Sequence, residues 1–384
     1  MLRPYLDSFF AVTAPGLEAL TALELGRLGL LPASFVADQQ AGGVPFEGTA
    51  DALYRANLHL RTASRVLVRL GMFYAAAFSE LHKKASRLPW ERYLAPGQPV
   101  AVRVTCHKSK LYHSDAVAER IARAIADKLG KEVPRLKPGD EDAENPPQLV
   151  VARLVNDQCT ISIDSSGELL HRRGYRQAVA KAPLRETLAA GMLLASGWDA
   201  ASPLLDPFCG SGTIPIEAAL LALGFAPGRS RRFAFMNWPS FDAKIWKSIL
   251  AESTPPTRTE MPIIQASDRD AGAVRMAQEN AERAGVAGCI QFTCRAVSAI
   301  EPPAGPGWVV ANPPYGLRVS EGKDLRNLYA QFGNVLRVKC PAWQVAILCN
   351  DVALLAQTGI KLDTSLSLIN GGVNVRLARG RVIA

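Results

Sequence analysis

Asn312-Pro313-Pro314-Tyr315-Gly316 follows an apolar run, Trp308-Val309-Val310-Ala311, that reads as a buried strand. Proline fixes φ, removes a backbone donor and biases the residue before it toward an extended conformation. The strand therefore ends in a stiff turn rich in acceptors: the Asn312 side-chain oxygen and the carbonyls of Pro313 and Pro314. Tyr315 adds a flat ring. Acceptors for two hydrogens beside an aromatic plane suit an exocyclic amino group on a planar base. The competing reading is a proline-rich turn with no chemistry.

Two further constellations stand upstream. Pro203-Leu204-Leu205-Asp206 is a short apolar strand ending in an acid, and Pro207-Phe208-Cys209-Gly210-Ser211-Gly212-Thr213 leads into a helix-like run, Ile214 to Leu220. Gly210 and Gly212 let a ligand approach the backbone, and Asp206 can bind a cationic amine. The spacing is neither the dinucleotide fingerprint nor a P-loop, since no third glycine and no Gly-Lys-Ser/Thr follow. It suits a ligand with an amino-acid end. Pro262 to Ser267 reads as the next strand, ending in Asp268-Arg269-Asp270. Asp268 is expected to accept the two ribose hydroxyls of a nucleoside, and Asp270 to cap the helix that begins near Ala271.

Together these motifs resemble the class I S-adenosylmethionine-dependent methyltransferases of the Asn-Pro-Pro-Tyr branch, which methylate exocyclic amines of bases. Phe9 to Glu18, His171-Arg172-Arg173-Gly174-Tyr175-Arg176 and Ala182 to Ala190 extend the resemblance to the bacterial THUMP-domain guanine-N2 RNA methyltransferases. The resemblance implies an enzyme that transfers a methyl group from S-adenosylmethionine to guanine N2, in 23S rRNA or alternatively in tRNA. It implies Asn312, Pro313, Pro314 and Tyr315 at the target amine. Asp206, Phe208, Gly210, Gly212, Thr213, Asp268, Arg269 and Asn312 would surround the cofactor. Relatives place an acid near the adenine amino group where this chain has Ala296. A DNA adenine-N6 methylase shares the motif but leaves the amino-terminal matches unexplained. A non-catalytic RNA-binding factor leaves Asp206, Asp268 and Asn312 without reason to coincide.

Composition sets the frame. The chain has 384 residues, 48% of them hydrophobic, enough for two or three domains with buried cores. No apolar run approaches the ~18 residues of a membrane span, and no signal peptide is expected at the amino terminus. Seven cysteines without a Cys-x-x-Cys pair, with five scattered histidines, predict a reducing cytoplasm and neither disulfides nor a metal site. Nothing in the sequence sets the oligomeric state.

The net charge is +9, yet residues 1–65 carry five basic and six acidic side chains. Residues 66–125 carry ten basic against four acidic, which points to a polyanionic partner. Lys108 and Lys110 lie in a basic loop from Lys108 to Ser114 that contains Tyr112, and Arg172, Arg173 and Arg176 lie in the linker; these five are the expected RNA contacts. Arg172, Arg173, Arg176, Lys181 and Arg185 also suit a cap over the cofactor. Arg229, Arg231 and Arg232, in an insertion over 225–262, form a further basic cluster.

The expected fold is α/β: a Rossmann-like class I methyltransferase sheet with a terminal antiparallel hairpin, preceded by small α+β ferredoxin-like and THUMP domains. The expected limits are 1–65 for the ferredoxin-like domain, 66–165 for the THUMP domain, 166–182 for the linker and 183–384 for the catalytic domain. An exposed acidic loop is expected at 137–147, and a helix from Asp115 should bury Val117, Ile121, Ile125 and Leu129. Asn370-Gly371-Gly372 between alternating apolar runs predicts the terminal hairpin.

Overall fold

A computed structural model describes residues 6–38, 41–136, 147–176, 184–255, 260–316 and 324–383. All but the last residue of the expected acidic loop, and linker residues 177–182 with Lys181, lie outside the described residues.

The amino-terminal half is built on one seven-stranded sheet. It comprises β1 (Asp7–Thr13), β2 (Gly43–Gly48), β3 (Ala63–Tyr74), β4 (Val100–His107), β5 (Arg135–Leu136), β6 (Gln148–Val155) and β7 (Gln158–Asp164), in the order β2-β1-β3-β7-β6-β4-β5. β3 joins the two ends. It pairs antiparallel with β1 from Ser8↔Arg69 to Thr13↔Ala63 and with β7 from Leu67↔Asp164 to Tyr74↔Gln158. The limit expected at 65/66 therefore falls inside a continuous strand.

Helices α1 (Glu18–Arg27), α2 (Ala50–His59), α3 (Phe78–Ala85) and α4 (Ser114–Leu129) accompany this sheet. In α4 the apolar period works as the sequence predicts. Val117, Ile121 and Ile125 are buried, Leu129 is half-buried, and Gly130 ends the helix in the left-handed region. Arg123 is exposed, while Arg120 lies 5.8 Å from the Phe78 ring.

The carboxyl-terminal half holds a second seven-stranded sheet. Its strands are β8 (Leu204–Asp206), β9 (Ile264–Asp268), β10 (Ile290–Cys294), β11 (Trp308–Ala311), β12 (Gln344–Cys349), β13 (Leu362–Asn370) and β14 (Val373–Arg381). The order is β10-β9-β8-β11-β12-β14-β13, parallel from β10 to β12 and antiparallel through the closing hairpin, as the sequence predicts. The helices are α5 (Glu186–Ser196), α6 (Thr213–Ala222), α7 (Ala243–Glu252), α8 (Ala271–Ala284), α9 (Arg326–Lys339) and α10 (Val352–Gln357). Strand order reverses beside β8, so the carboxyl ends of β8 and β11 open the crevice where such sheets bind ligands.

Residues 225–255 are a clamp onto the amino-terminal half. Gly228 and Phe235 donate backbone hydrogen bonds to the carbonyls of Leu58 and Ser165 at 2.9 and 3.1 Å. Tyr54 stacks on Phe235 at 4.3 Å, and a side chain at Gly228 would meet the Leu58 oxygen at 3.0 Å. One apolar core runs from Phe9 through Trp90 to Trp238 and Ile249. Two arginines of this clamp are engaged by the fold, while Arg232 is exposed. Arg229 donates to the Ala284 carbonyl at 2.7 Å and lies 3.6 Å over the Phe225 ring. Arg231 donates to the Leu169 carbonyl at 2.8 Å and to that of Glu168 at 2.5 Å; burial lowers its pKa to about 10.

Candidate active site

β8 ends in Asp206, 1% exposed, and the chain then turns through Gly210 and Gly212, both at positive φ, into α6. A side chain at Gly212 would press on the Ala277 Cβ at 2.9 Å, so only glycine brings this loop against α8. The Phe208 N–H donates to Asp206 at 3.1 Å. Burial, and after it the charge of Asp268, push the Asp206 carboxyl up to about 8. Among the described residues this buried carboxyl, beside a second carboxylate, forms no ion pair, and its chemistry suits a cationic ligand.

Asp268 closes β9 and holds the loop. One carboxylate oxygen accepts from the Gly210 N–H at 3.0 Å and the other from the Asp270 N–H at 3.0 Å. Asp270 caps α8 through the Gly272 N–H at 2.8 Å. Each Asp268 oxygen keeps a lone pair for a hydroxyl. Phe208 is half-buried, edge-on to Phe332 at 5.1 Å; Arg269 and Ala296 are exposed beyond the ends of β9 and β10.

β11 lies next to β8 through Trp308↔Leu204 and Val309↔Leu205, which carries Asn312 to the same end of the sheet as Asp206. The Asn312 Oδ1 is buried and has no hydrogen-bond partner among the described residues. A buried acceptor left unpaired is costly, and such exceptions concentrate where a ligand completes them. Pro313 is buried, and the Pro314 carbonyl accepts from the Tyr329 hydroxyl at 3.3 Å. That hydroxyl also lies 3.2 Å from the Cys349 Sγ at the end of β12. Tyr315 is half-buried, its hydroxyl accepts from the Asn370 amide at 2.9 Å, and burial raises its pKa.

The linker arginines divide. Arg172 is half-exposed, 3.8 Å from Glu168. Arg173 and Arg176 are corrections to the expected RNA contacts, because both guanidiniums face inward. Arg173 donates to the carbonyls of Leu170 and Arg61 at 2.6 and 2.7 Å and lies 3.6 Å from Glu217, both side chains buried. Arg176 donates to the Leu184 carbonyl at 2.8 Å and to Thr213 Oγ1 at 2.7 Å, 3.5 Å from Glu186. Burial raises the Glu186 carboxyl to about 7 against the pull of Arg176. Lys108 and Lys110 remain exposed.

The motifs did not reveal Tyr329, Cys349, Asn370 or Asn280, whose amide donates to the Ser211 carbonyl of the glycine loop at 3.0 Å. The Asn-Gly-Gly turn marked Asn370 as a hairpin residue, and nothing marked the other three. A cleft lined by Leu205, Gln265, Ser267, Gln291, Thr293 and Arg295 lies along β8, β9 and β10 and includes none of Asp206, Asp268 and Asn312. Among the described residues no group of three or more metal-ligating side chains occurs.

The chain matches known families along most of its length: the RlmL ferredoxin-like domain over 8–67, the THUMP domain over 75–164 and the RMKL-like methyltransferase domain over 173–371. A Synechocystis protein assigned as an RNA methyltransferase is 35% identical, covering 98% of this chain and 96% of the relative. The ribosomal RNA large subunit methyltransferase K/L of Methylococcus capsulatus is 36% identical over 97% of this chain and 51% of its own length, so the chain spans about half of that relative. Among solved structures, a protein assigned as a methyltransferase and crystallised with SAH superposes with TM-score 0.86 at 31% identity, covering 98% of each chain. A Listeria monocytogenes protein assigned as an N6-adenine-specific DNA methylase gives 0.84 at 32%, covering 97% and 96%. By the family model over 173–371 and the 35% identity to the Synechocystis protein, the chain belongs to the RMKL-like methyltransferase family.

Proposed function

We propose that this protein is an S-adenosylmethionine-dependent RNA methyltransferase acting on the exocyclic N2 of a guanine, in 23S rRNA. The observation that carries the reading is the unpaired, buried Asn312 Oδ1 at the end of β11, one strand from the cation-seeking Asp206. Asp206 fits the α-ammonium of the cofactor, Asp268 its ribose hydroxyls, and the Gly210–Gly212 turn the close approach of its amino-acid end. S-adenosylmethionine supplies, when bound, a methyl group already activated on a cationic sulfonium. The protein's task is then orientation.

Asn312 Oδ1 and the Pro313 carbonyl accept the two amino hydrogens of the base. That draws the nitrogen lone pair out of conjugation with the ring. Tyr315, tethered by Asn370, sets the plane of the base, and Tyr329 holds the turn through the Pro314 carbonyl. The amine proton needs no strong base, since the nitrogen carries positive charge once methylated. A paired target base must first leave its stack.

The domain limits that go with this reading are a ferredoxin-like domain to residue 65, a THUMP domain to 165, a linker to 182 and the catalytic domain beyond. A cytoplasmic location follows from an rRNA substrate; no described helix is long and apolar enough to cross a membrane. Mass spectrometry of nucleosides from separated rRNA and tRNA of a deletion strain tests the reading. Loss of N2-methylguanine from 23S rRNA alone supports it, loss from tRNA alone moves the substrate to tRNA, and unchanged RNA with altered DNA overturns it.

A further inference from the structure

The glycine loop between β8 and α6 is held from three directions. From β9, Asp268 accepts from the Gly210 N–H at 3.0 Å and the Ser267 carbonyl accepts from the Cys209 N–H at 3.0 Å. From α8, the Asn280 amide donates to the Ser211 carbonyl at 3.0 Å. From the linker, the Arg176 guanidinium donates to Thr213 Oγ1 at 2.7 Å. Both neighbours of Gly212 are therefore gripped by side chains of other elements.

The holds from α8 and from the linker are joined. Ala277 and Asn280, three residues apart, share one face of α8; Gly212 packs against the first and Ser211 bonds the second. Arg283, a further three residues on, donates to Asn280 Oδ1 at 2.5 Å and to the Tyr175 carbonyl at 2.8 Å. Consecutive linker residues thus reach both sides of Gly212. Tyr175 acts through Arg283 and Asn280 on Ser211, and Arg176 acts directly on Thr213. The linker is itself anchored. Arg173 donates to the Arg61 carbonyl at 2.7 Å, and the Tyr175 hydroxyl donates to Glu217 at 3.2 Å, one turn of α6 past Thr213.

Glycine loses more conformational freedom on ordering than any other residue, and Gly210 and Gly212 both sit at positive φ. Bonds that order such a loop before its ligand binds reduce the entropy lost in binding. A cation in the last turn of a helix accounts for Arg283 without any loop. It does not account for Asn280, which is 0% exposed and turns its amide to a loop carbonyl and its oxygen to Arg283.

We propose that Arg176 and Asn280 are positioning residues for the cofactor, joined through Tyr175 and Arg283 into a brace that fixes Ser211 and Thr213 before the cofactor binds. The proposal rests on the reading of the glycine loop as the S-adenosylmethionine site. Acting through the loop, the two side chains set how tightly the cofactor is held. They leave the rate of methyl transfer in the loaded enzyme, and the hold on RNA, as they are.

The test is steady-state methylation of 23S rRNA from a deletion strain, with SAH affinity by calorimetry, for the full chain and its Arg176→Gln, Thr213→Val and Asn280→Ala variants. One net hydrogen bond corresponds to roughly a fivefold change, so each variant should weaken SAH and raise KM for S-adenosylmethionine by about that factor. The kcat at saturating cofactor and KM for RNA should stay at wild-type values. Thr213→Ser, which restores the hydroxyl, should bind SAH as wild type does. Arg176 and Thr213 share one bond, so Arg176→Gln/Thr213→Val should be no weaker than Arg176→Gln alone. Multiplied losses would mean that Thr213 holds the cofactor by itself, and overturn the brace. A lower kcat with unchanged KM and SAH affinity, the mark of lost folded protein, overturns it too. Should Arg176→Gln fail to fold, Thr213→Val against Thr213→Ser decides, and equal SAH affinity of that pair refutes the proposal. Wild-type protein that does not bind SAH overturns the underlying reading of the loop instead.

Discussion

The amide of Asn370, last residue of β13, donates a hydrogen bond to the hydroxyl of Tyr315 at 2.9 Å, which ties the terminal hairpin to the Asn-Pro-Pro-Tyr turn. The contact exists because Gly371 and Gly372, both at positive φ, make the two-residue turn themselves. Asn370 is thereby left in the strand, with its side chain available to Tyr315. The hairpin thus helps position the ring that closes the site.

Removing this tether should slow turnover without affecting the cofactor. A net hydrogen bond is worth about 1 kcal/mol, so Asn370→Ala should lower kcat/KM for RNA roughly fivefold and leave SAH affinity unchanged. Tyr315→Phe, which keeps the ring, should behave alike, and Tyr315→Ala should lose far more. Equal activity of Tyr315→Phe and Tyr315→Ala in steady-state assays would show that the ring has no part in placing the base.

Asn312→Ala should lower methyl transfer by about 10²–10³, the scale seen when one well-placed polar partner of a reacting group is lost. Its SAH affinity and thermal midpoint should match wild type, since Oδ1 has no hydrogen-bond partner among the described residues. Single-turnover assays with labelled methyl donor decide; full turnover by the folded variant refutes the amine-acceptor role.

Asp206 makes a prediction about pH. Its folded-state pKa is raised to about 8 from 3.8, chiefly by burial. Proton linkage therefore works against the cofactor-free fold as pH rises: this contribution is fully present below 3.8 and is lost as pH passes about 8. Asp206→Asn should flatten that decline and melt higher than wild type at alkaline pH, while binding SAH roughly tenfold to a hundredfold more weakly. Thermal melts across pH, with calorimetry, check both halves. A wild-type midpoint that rises with pH, with Asp206→Asn following the same curve, contradicts it.

Asp268→Ala removes the acceptor for the Gly210 and Asp270 N–H groups as well as the expected ribose partner. SAH affinity should drop by about tenfold to a hundredfold. Unchanged affinity in titration calorimetry would exclude the ribose role and leave Asp268 as a brace for the loop.

Arg173→Ala should act as a folding mutation. Breaking the buried pair leaves Glu217 without its guanidinium partner, keeping the Tyr175 hydroxyl at 3.2 Å, and such a loss costs about 3–5 kcal/mol. Urea denaturation should show that loss, whereas the exposed Lys108→Ala should unfold as wild type does. A stable Arg173→Ala with weakened RNA binding would restore Arg173 to the substrate path.

Much of this protein is readable in its sequence because the governing signals are local. Valine alternation, the Asn-Gly-Gly turn and the apolar period of α4 each specify an element through neighbours a few residues away. The glycine loop after Asp206 and the prolines after Asn312 mark strand ends in the same manner. What the tertiary structure decided is where charge and core end up. Arg172, Arg173 and Arg176 are alike as residue types, yet Arg172 is half-exposed, Arg173 is enclosed by the Arg61 carbonyl and Glu217, and Arg176 by the Leu184 carbonyl, Glu186 and the Thr213 hydroxyl. Arg231 is spent the same way on linker carbonyls. The 225–262 insertion reads from sequence as a basic interruption of the strand-helix rhythm, and only the fold shows Phe235 and Trp238 sharing a core with Tyr54 and Trp90. Tyr329 carries no motif, and the turn that marks Asn370 as a hairpin residue says nothing of its bond to Tyr315. Their roles exist because β11, β12 and β13 bring together residues that the sequence keeps apart.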